Sequence, residues 1–466
     1  MNIPDWIETN KEKFTDLSDR VWEFAELGFN EMRSSSLLAQ ALEEDGFNIQ
    51  RGVADIPTAF VASYGTGRPV IAILGEYDAL PNLSQEKIPT RKALNESQPG
   101  HGCGHNLLGV GALASAMAVK EAIRGGEAKG TVRFYGCPAE ENGSGKTFMV
   151  KEGLFKDVDL SLTWHPDIYN GILGNNILAN IKVSFVFHGQ SAHAAADPFN
   201  GRSALDAVEL MNVGTNYLRE HIIPEGRIHY VITNGGGAPN VVPPEAESLY
   251  VIRAPLMTQV QEIYQRVLNI AKGAALMTGT EMEIIFRKGM LNLLLNDTIT
   301  DVLYEKMVAV EPVEYSKEEL EFGETITKNC PPVDFVDLVV KIFGREAREY
   351  ATSESLFLTK VMPNTHTDFV VPSSTDVGDV SWVTPTGQIS ATTMTARTPG
   401  HSWQIVAQSG MSIGIKGMLY AAKVMALTAM EFFTSKDRLR AAREEFEGKI
   451  RKTPYICPIP DGIKPF

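Results

Sequence analysis

The chain has 466 residues, 44% hydrophobic and 21% charged, a balance that excludes disordered, collagen-like and disulfide-scaffold classes and exceeds what one compact core holds. With 43 basic against 57 acidic residues the formal charge is −14, so no net positive field is available to hold a phosphate backbone, and no nucleic-acid partner is expected. Cys103, Cys137, Cys330 and Cys457 form no CxxC pair, and the charged first fourteen residues lack an apolar leader core, so the expectation is a cytoplasmic protein.

Residues 5–27 and 34–44 carry apolar side chains at helical spacing and predict two opening amphipathic helices, the second stopped by Gly46. Short apolar runs at 58–64, 69–74, 131–135 and 160–164 predict strands. The Ala-rich stretch 107–124, ending at Gly125-Gly126, predicts a helix between the second and third of them, and strand, helix, strand signals a parallel sheet. From residue 181 the pattern changes to strand 181–187, helix 203–219, strands 227–233 and 248–254, helix 259–276 and strand 281–287, the order of a split βαβ sandwich. The predicted fold class is therefore α/β. A first domain, residues 1–180 and 291–466, has a mainly parallel sheet flanked by helices, and an inserted α+β, ferredoxin-like lid or dimerisation domain spans 181–290. Residues 291–365 read as charged helices. Residues 405–433 read as a buried helix, because Gln408, Ser409, Ser412, Lys416 and Lys423 argue against a membrane span. The Pro-rich end, 453–466, is expected to run extended along a surface.

Polar residues gather just beyond the predicted strands: Asp78 after the second, Glu140 and Glu141 after the third, His165 after the fourth. Carboxyl ends of parallel strands share one edge, so these side chains meet in one crevice. His101-Gly102-Cys103-Gly104-His105, ahead of the Ala-rich helix, adds a thiol and two imidazoles, with glycines that let the backbone bend around an ion. Thiolate, imidazole and carboxylate together are ligands for zinc or a neighbouring transition ion, and of two adjacent carboxylates one can bind while the other moves protons. This predicts a hydrolytic metal centre. Taken singly, Cys103 also reads as a small buried hydrophobe, His101 as a helix cap and Glu140-Glu141 as an acidic turn. The run Gly143-Ser144-Gly145-Lys146-Thr147 looks like a phosphate loop, but Glu140 stands where a glycine is required and two acidic residues would repel a phosphate.

His101-Gly-Cys-Gly-His105-Asn106, Pro138-Ala-Glu-Glu141, Trp164-His165-Pro166, Gly189-Gln-Ser-Ala-His193-Ala-Ala and Gly400-His401-Ser-Trp together resemble the M20 metallopeptidases and amidohydrolases. The resemblance extends through Gly75-Glu-Tyr-Asp-Ala-Leu-Pro81, Ala238-Pro-Asn-Val-Val-Pro243 and Ser374-Thr-Asp-Val-Gly-Asp-Val-Ser-Trp382, and so covers nearly the whole chain. It implies Cys103, His105, Glu141, His165 and His401 as ligands of one or two divalent ions, zinc or manganese. It implies Glu140 as the general base and Asp78 as the carboxylate that orients a ligand. It implies His193 as an oxyanion donor acting across a dimer interface, with Asn240 and Arg253 holding the substrate's carbonyl and carboxylate. Where many members have a metal-binding histidine two residues before that aspartate, this chain has Glu76. Asp376 and Asp379 offer two alignments with an acidic motif.

The reaction implied is hydrolysis of an amide to an amino acid, with p-aminobenzoyl-glutamate or a related N-acyl-glutamate the leading substrate, in a homodimer or a heterodimer with a related subunit. The residues suit it: coordination lowers the pKa of water, a glutamate carries a proton to the leaving amine, and Arg253 offers a fork for a carboxylate. A dipeptidase, an N-acyl-amino-acid deacylase, a metal-dependent binding protein and a non-catalytic partner subunit of a heteromeric hydrolase are the alternatives. On residue type alone, His193 and His401 also read as helix caps, Arg253 as a surface charge and Asn240 as a turn residue.

Overall fold

The computed structural model describes every residue except Leu173, His366 and Phe466. The chain opens with α1 (Ile3–Thr9), α2 (Lys11–Phe24) and α3 (Met32–Glu44), then β1 (Asn48–Arg51), β2 (Phe60–Gly65), β3 (Val70–Glu76), α4 (His105–Arg124), β4 (Thr131–Cys137), α5 (Gly145–Lys151), β5 (Leu160–Asp167) and β6 (Tyr169–Ile172). A second run follows: β7 (Ala179–His188), α6 (Ala204–Leu218), β8 (Arg227–Asn234), β9 (Glu245–Ala254), α7 (Met257–Thr278) and β10 (Glu281–Met290). The remainder is α8 (Asp297–Ala309), α9 (Lys317–Lys328), α10 (Phe335–Phe343), β11 (Leu358–Val361), α11 (Val377–Ser381), β12 (Thr386–Thr392), α12 (Trp403–Ser409), α13 (Ser412–Thr434) and α14 (Lys436–Ile450).

Two sheets result. The first has eight strands in the order β1-β2-β4-β3-β5-β12-β6-β11, and its centre, β4-β3-β5-β12, is parallel throughout. Every residue of β3 is buried, as expected of a parallel strand covered on both faces. One face packs against α1, α2, α3, α4, α8 and α13; the other meets α5 and α11. The second sheet is antiparallel, order β10-β7-β9-β8, with α6 and α7 on one face, the split βαβ arrangement. In β9, Ala246, Ser248, Tyr250, Ile252 and Ala254 are buried under the helices, while Glu247, Leu249, Val251 and Arg253 face the other way.

Several sequence expectations are corrected. The segment 5–27, read as one helix, is α1 and α2, because Asn10 closes the first with its backbone N–H and its amide donates to the Trp6 carbonyl at 2.8 Å. The single helix expected over 405–433 is α12 and α13, broken at Gly410, where Trp22 packs and its indole donates to the Val406 carbonyl at 2.8 Å. Most of α13 is buried inside the protein, as expected of a core helix. The Pro-rich end does not merely follow a surface: Tyr455 and Cys457 pack on the core beneath α5, and Ile459 is 3% exposed there. Strands β1, β6, β11 and β12 were not predicted.

Helix α4 lies close against β3, and Gly109 makes this possible: a Cβ there would sit 2.5 Å from the Glu76 carbonyl oxygen. Gly109→Ala is therefore expected to cost about 1–3 kcal/mol through overpacking, read as a lower midpoint in thermal or denaturant unfolding.

Candidate metal centre and substrate cleft

Register places the chemistry. Glu76, the last residue of β3, is level with Cys137, the last residue of β4, and His165 of β5 is level with Ser390 of β12. The segments after β3 and β4 and the end of β5 therefore share one edge. Gly104, at φ +76°, turns the chain into α4 and leaves Cys103 Sγ 3.4 Å from His165 Nε2. Three donor sets each gather within 4.8 Å: Cys103, His105 and His165; Cys103, Glu141 and His401; Glu76, His105 and Glu140. Shared members make them one connected cluster. His401 reaches it from the loop before α12 at φ +48°, a conformation uncommon for a residue with a Cβ, and its Nε2 lies 3.5 Å from Glu141 Oε2.

A second layer aims these groups. His105 Nδ1 lies 2.8 Å from Asp78, whose other oxygen accepts the Glu141 backbone N–H at 2.9 Å. His165 Nδ1 lies 2.8 Å from the Pro166 carbonyl, which requires the proton on that nitrogen and leaves the Nε2 lone pair toward Cys103. Burial, then the adjacent Glu140, pushes the Glu141 carboxyl up to about 8; burial, then Glu76, raises Glu140. Burial and Glu141 raise the Cys103 thiol. Burial alone would also raise Asp78, but His105 outweighs it and holds the carboxyl below its usual range. Glu141 Oε1 is buried without a hydrogen-bond partner, and so is His105 Nε2, although Glu76 Oε2 lies 3.3 Å from it out of hydrogen-bonding geometry. Orphaned acceptors beside a thiol and further imidazoles fit a divalent transition ion. His101 does not join the cluster: its Nε2 lies 3.0 Å from the Val21 carbonyl of α2, and burial, then His105, lowers it to about 4.

Sequence reasoning missed the layer behind. Lys146, fully buried, pairs with Glu76 Oε1 at 2.7 Å and with Asp376, which also accepts the Lys146 backbone N–H at 2.8 Å. The Gly-Ser loop drew attention to this lysine only as a phosphate ligand, and its partner is 230 residues away. Asp379 is separate: it accepts from Thr147 at 2.9 Å, the Leu291 N–H at 3.0 Å and Tyr455 at 2.9 Å, and burial pushes it up to about 7. Glu31 accepts the backbone N–H of Ala139 at 2.7 Å and holds that residue at φ +56° just before Glu140. Burial, then Asp78, pushes Glu31 up to about 8.

The second sheet carries the other expected residues. His193 is exposed, and its Nδ1 accepts the N–H groups of Ala195 and Ala196 at 3.2 and 3.0 Å, so the proton sits on an outward Nε2. Asn240 lies beside it in an exposed loop, its carbonyl accepting the Ala194 N–H at 3.0 Å. No contact among the described residues joins His193 or Asn240 to the cluster. Arg253 donates to Ser374 Oγ at 3.2 Å, and its Nε is buried without a partner, as are both polar atoms of Asn180 directly opposite on β7. Lys288 of β10 donates to the Glu141 carbonyl at 3.0 Å, tying this sheet to the loop that carries Glu140 and Glu141.

Comparison with known proteins adds to this geometry. The sequence pattern of Peptidase family M20/M25/M40 matches residues 72–294. One subunit of the p-aminobenzoyl-glutamate hydrolase of Escherichia coli (strain K12) is 47% identical over 472 residues, covering 99% of this chain and 98% of that protein. The hydrolase's other named subunit, from the same strain, is 30% identical over 272 residues, covering 55% of this chain and 59% of that protein. In structure, a dinuclear metal-binding M20-family peptidase of Bacillus subtilis superposes with a TM-score of 0.57 at 17% identity, covering 91% of this chain and 99% of that one.

Proposed function

This chain belongs to peptidase family M20/M25/M40, and from that premise we propose that it is a metal-dependent amidohydrolase that cleaves the amide bond of p-aminobenzoyl-glutamate or a related N-acyl-glutamate. The observation that carries the reading is the gathering of Cys103, His105, His165, Glu141 and His401, scattered along the chain, into donor sets within 4.8 Å, with Glu140 in the adjoining set. In this reading, residues 1–180 and 291–466 form the catalytic unit and 181–290 the lid, and the protein works in the cytoplasm, in keeping with its four free cysteines.

Those five residues hold one or two ions, zinc or manganese, which when bound lower the pKa of water and polarise a carbonyl. Asp78 fixes the ring of His105. Glu140 takes the proton of the attacking water and passes it to the leaving amine. Arg253 and Asn240 hold the substrate's carboxylate and carbonyl. His193, with its proton on Nε2, donates to the oxyanion as it develops. The test is turnover of the purified chain across acyl-glutamates and dipeptides, together with elemental analysis. Metal-dependent release of p-aminobenzoate supports the reading, dipeptide cleavage alone reassigns the substrate, and no turnover with any amide removes it.

His193 stands apart from the cluster, and α6 with the edge strand β8 exposes Leu210, Val213, Tyr217, Val231 and Ile232. This supports a dimer in which each lid completes the neighbouring site, either between two copies or, given the resemblance to both chains of the Escherichia coli hydrolase, with a related protein. His193→Ala is expected to lower kcat about a hundredfold. Mixing it with Glu140→Gln chains should restore activity, because one intact site then forms across each mixed interface; no recovery would place His193 in its own chain's site.

A further inference from the structure

On the cleft face of the second sheet, the Lys182 side chain has neither a hydrogen-bond nor an ion-pair partner among the described residues, whereas Lys288 and Arg253 each donate to an oxygen. The lid-sheet face that looks away from α6 and α7 carries Arg253 opposite Asn180, then Lys182 opposite both Val251 and Lys288. The register of β10 against β7 slips between Phe286 and Lys288, a bulge that turns the two neighbours Arg287 and Lys288 to the same side. Lys288 reaches the Glu141 carbonyl, and Arg287 is held by Ser184 Oγ at 2.9 Å and Glu247 at 3.3 Å. Lys182 has no carboxylate within ion-pair distance among the described residues. It is nonetheless half-buried and lines a cavity of ≈ 390 Å³ together with Phe29 and with Asn142 and Gly143, the two residues directly after Glu140-Glu141.

Like charges set directly opposite each other on paired strands destabilise a sheet, and an ammonium partly withdrawn from water without a counter-ion adds to that cost. Burial, then Lys288 and Arg287, lowers the proton affinity of Lys182. Glu247, the one carboxylate lining the cavity, is already taken by Arg287. An anion from outside the chain would satisfy Lys182. Its place is set by the strand: it lies two residues beyond Asn180, the partner of Arg253, on the same face, a step of about 6.6 Å. From Arg253 itself, on the neighbouring strand, the separation is the diagonal of that pairing, about 7–8 Å; this exceeds the span between the two carboxylates of glutamate, and the flexible lysine and arginine side chains reach inward to close the difference.

We propose that Lys182, backed by Arg287, is a second anion subsite that takes the side-chain carboxylate of a dicarboxylic amino acid whose α-carboxylate lies on Arg253. This deepens the amidohydrolase reading and rests on it for the position of the α-carboxylate. The subsite selects for glutamate conjugates over those of neutral amino acids.

The test uses the full chain reconstituted with zinc or manganese. The ratio of kcat/KM for p-aminobenzoyl-glutamate to that for p-aminobenzoyl-glutamine is measured in the parent, in Lys182→Met, in Lys182→Arg and in the remote exposed control Lys436→Met. A charge-assisted hydrogen bond predicts that Lys182→Met lowers the ratio about 10- to 100-fold, mainly through KM of the glutamate conjugate, and that Lys182→Arg restores most of it. A ratio unchanged in Lys182→Met, or an equal loss on both conjugates, overturns the subsite. Calorimetric binding of free L-glutamate against L-glutamine to the same proteins separates the two readings. A Lys182-dependent preference for glutamate in a chain that hydrolyses nothing keeps the subsite and removes the hydrolase. Hydrolysis without such a preference in either measurement keeps the hydrolase and removes the subsite.

Discussion

Glu140→Gln should lower kcat by about 10²–10⁴-fold while leaving the metal content unchanged. Glu140 is buried beside Glu76, and both burial and that neighbour raise its proton affinity, as suits a group that must pick up a proton and give it back near neutral pH. The amide of glutamine keeps the shape and a hydrogen bond but cannot carry the proton. Because Glu140 also lies within 4.8 Å of donor atoms on Glu76 and His105, elemental analysis is the decisive companion to the rate. Loss of activity with full metal identifies a proton carrier, and parallel loss of both makes Glu140 a ligand. Unchanged turnover removes the mechanism.

Lys146→Met should cost about 3–5 kcal/mol of unfolding free energy. Methionine nearly matches the volume, so a cavity contributes little. The cost comes from Glu76 and Asp376, two buried carboxylates left without the cation between them and close to further acidic groups at the centre. The double variant Lys146→Met with Asp376→Asn removes one stranded charge and should recover more than about 1 kcal/mol in denaturant unfolding. A single-variant loss below about 1 kcal/mol would mean that the pair contributes little beyond its own desolvation.

The elements that were legible in the sequence are those whose side chains see one kind of neighbour. Strands β2, β3, β4 and β5 are short apolar runs bounded by turns, and β9 alternates between helix face and cleft face, so composition and period reveal them. Strand β12, Thr-Gly-Gln-Ile-Ser-Ala-Thr, is wholly buried yet mostly polar or small, because β5 and β6 flank it and supply its backbone partners; nothing local marks it as a strand. The break at Gly410 depends likewise on Trp22, nearly four hundred residues earlier.

The site divides along the same line. Residue types at the ends of predicted strands were enough to name Asp78, Glu140, Glu141 and His165, since parallel strands deliver their carboxyl ends to one edge whatever their order, and the glycine-spaced run before the Ala-rich helix added Cys103 and His105. The pairing of Lys146 with Glu76 and Asp376, the separate station of Asp379 and the cationic row from Arg253 to Lys182 were not readable there. Each needs two segments brought together by packing and register, and an unpaired charge becomes recognisable as such only when its burial and all its neighbours are known.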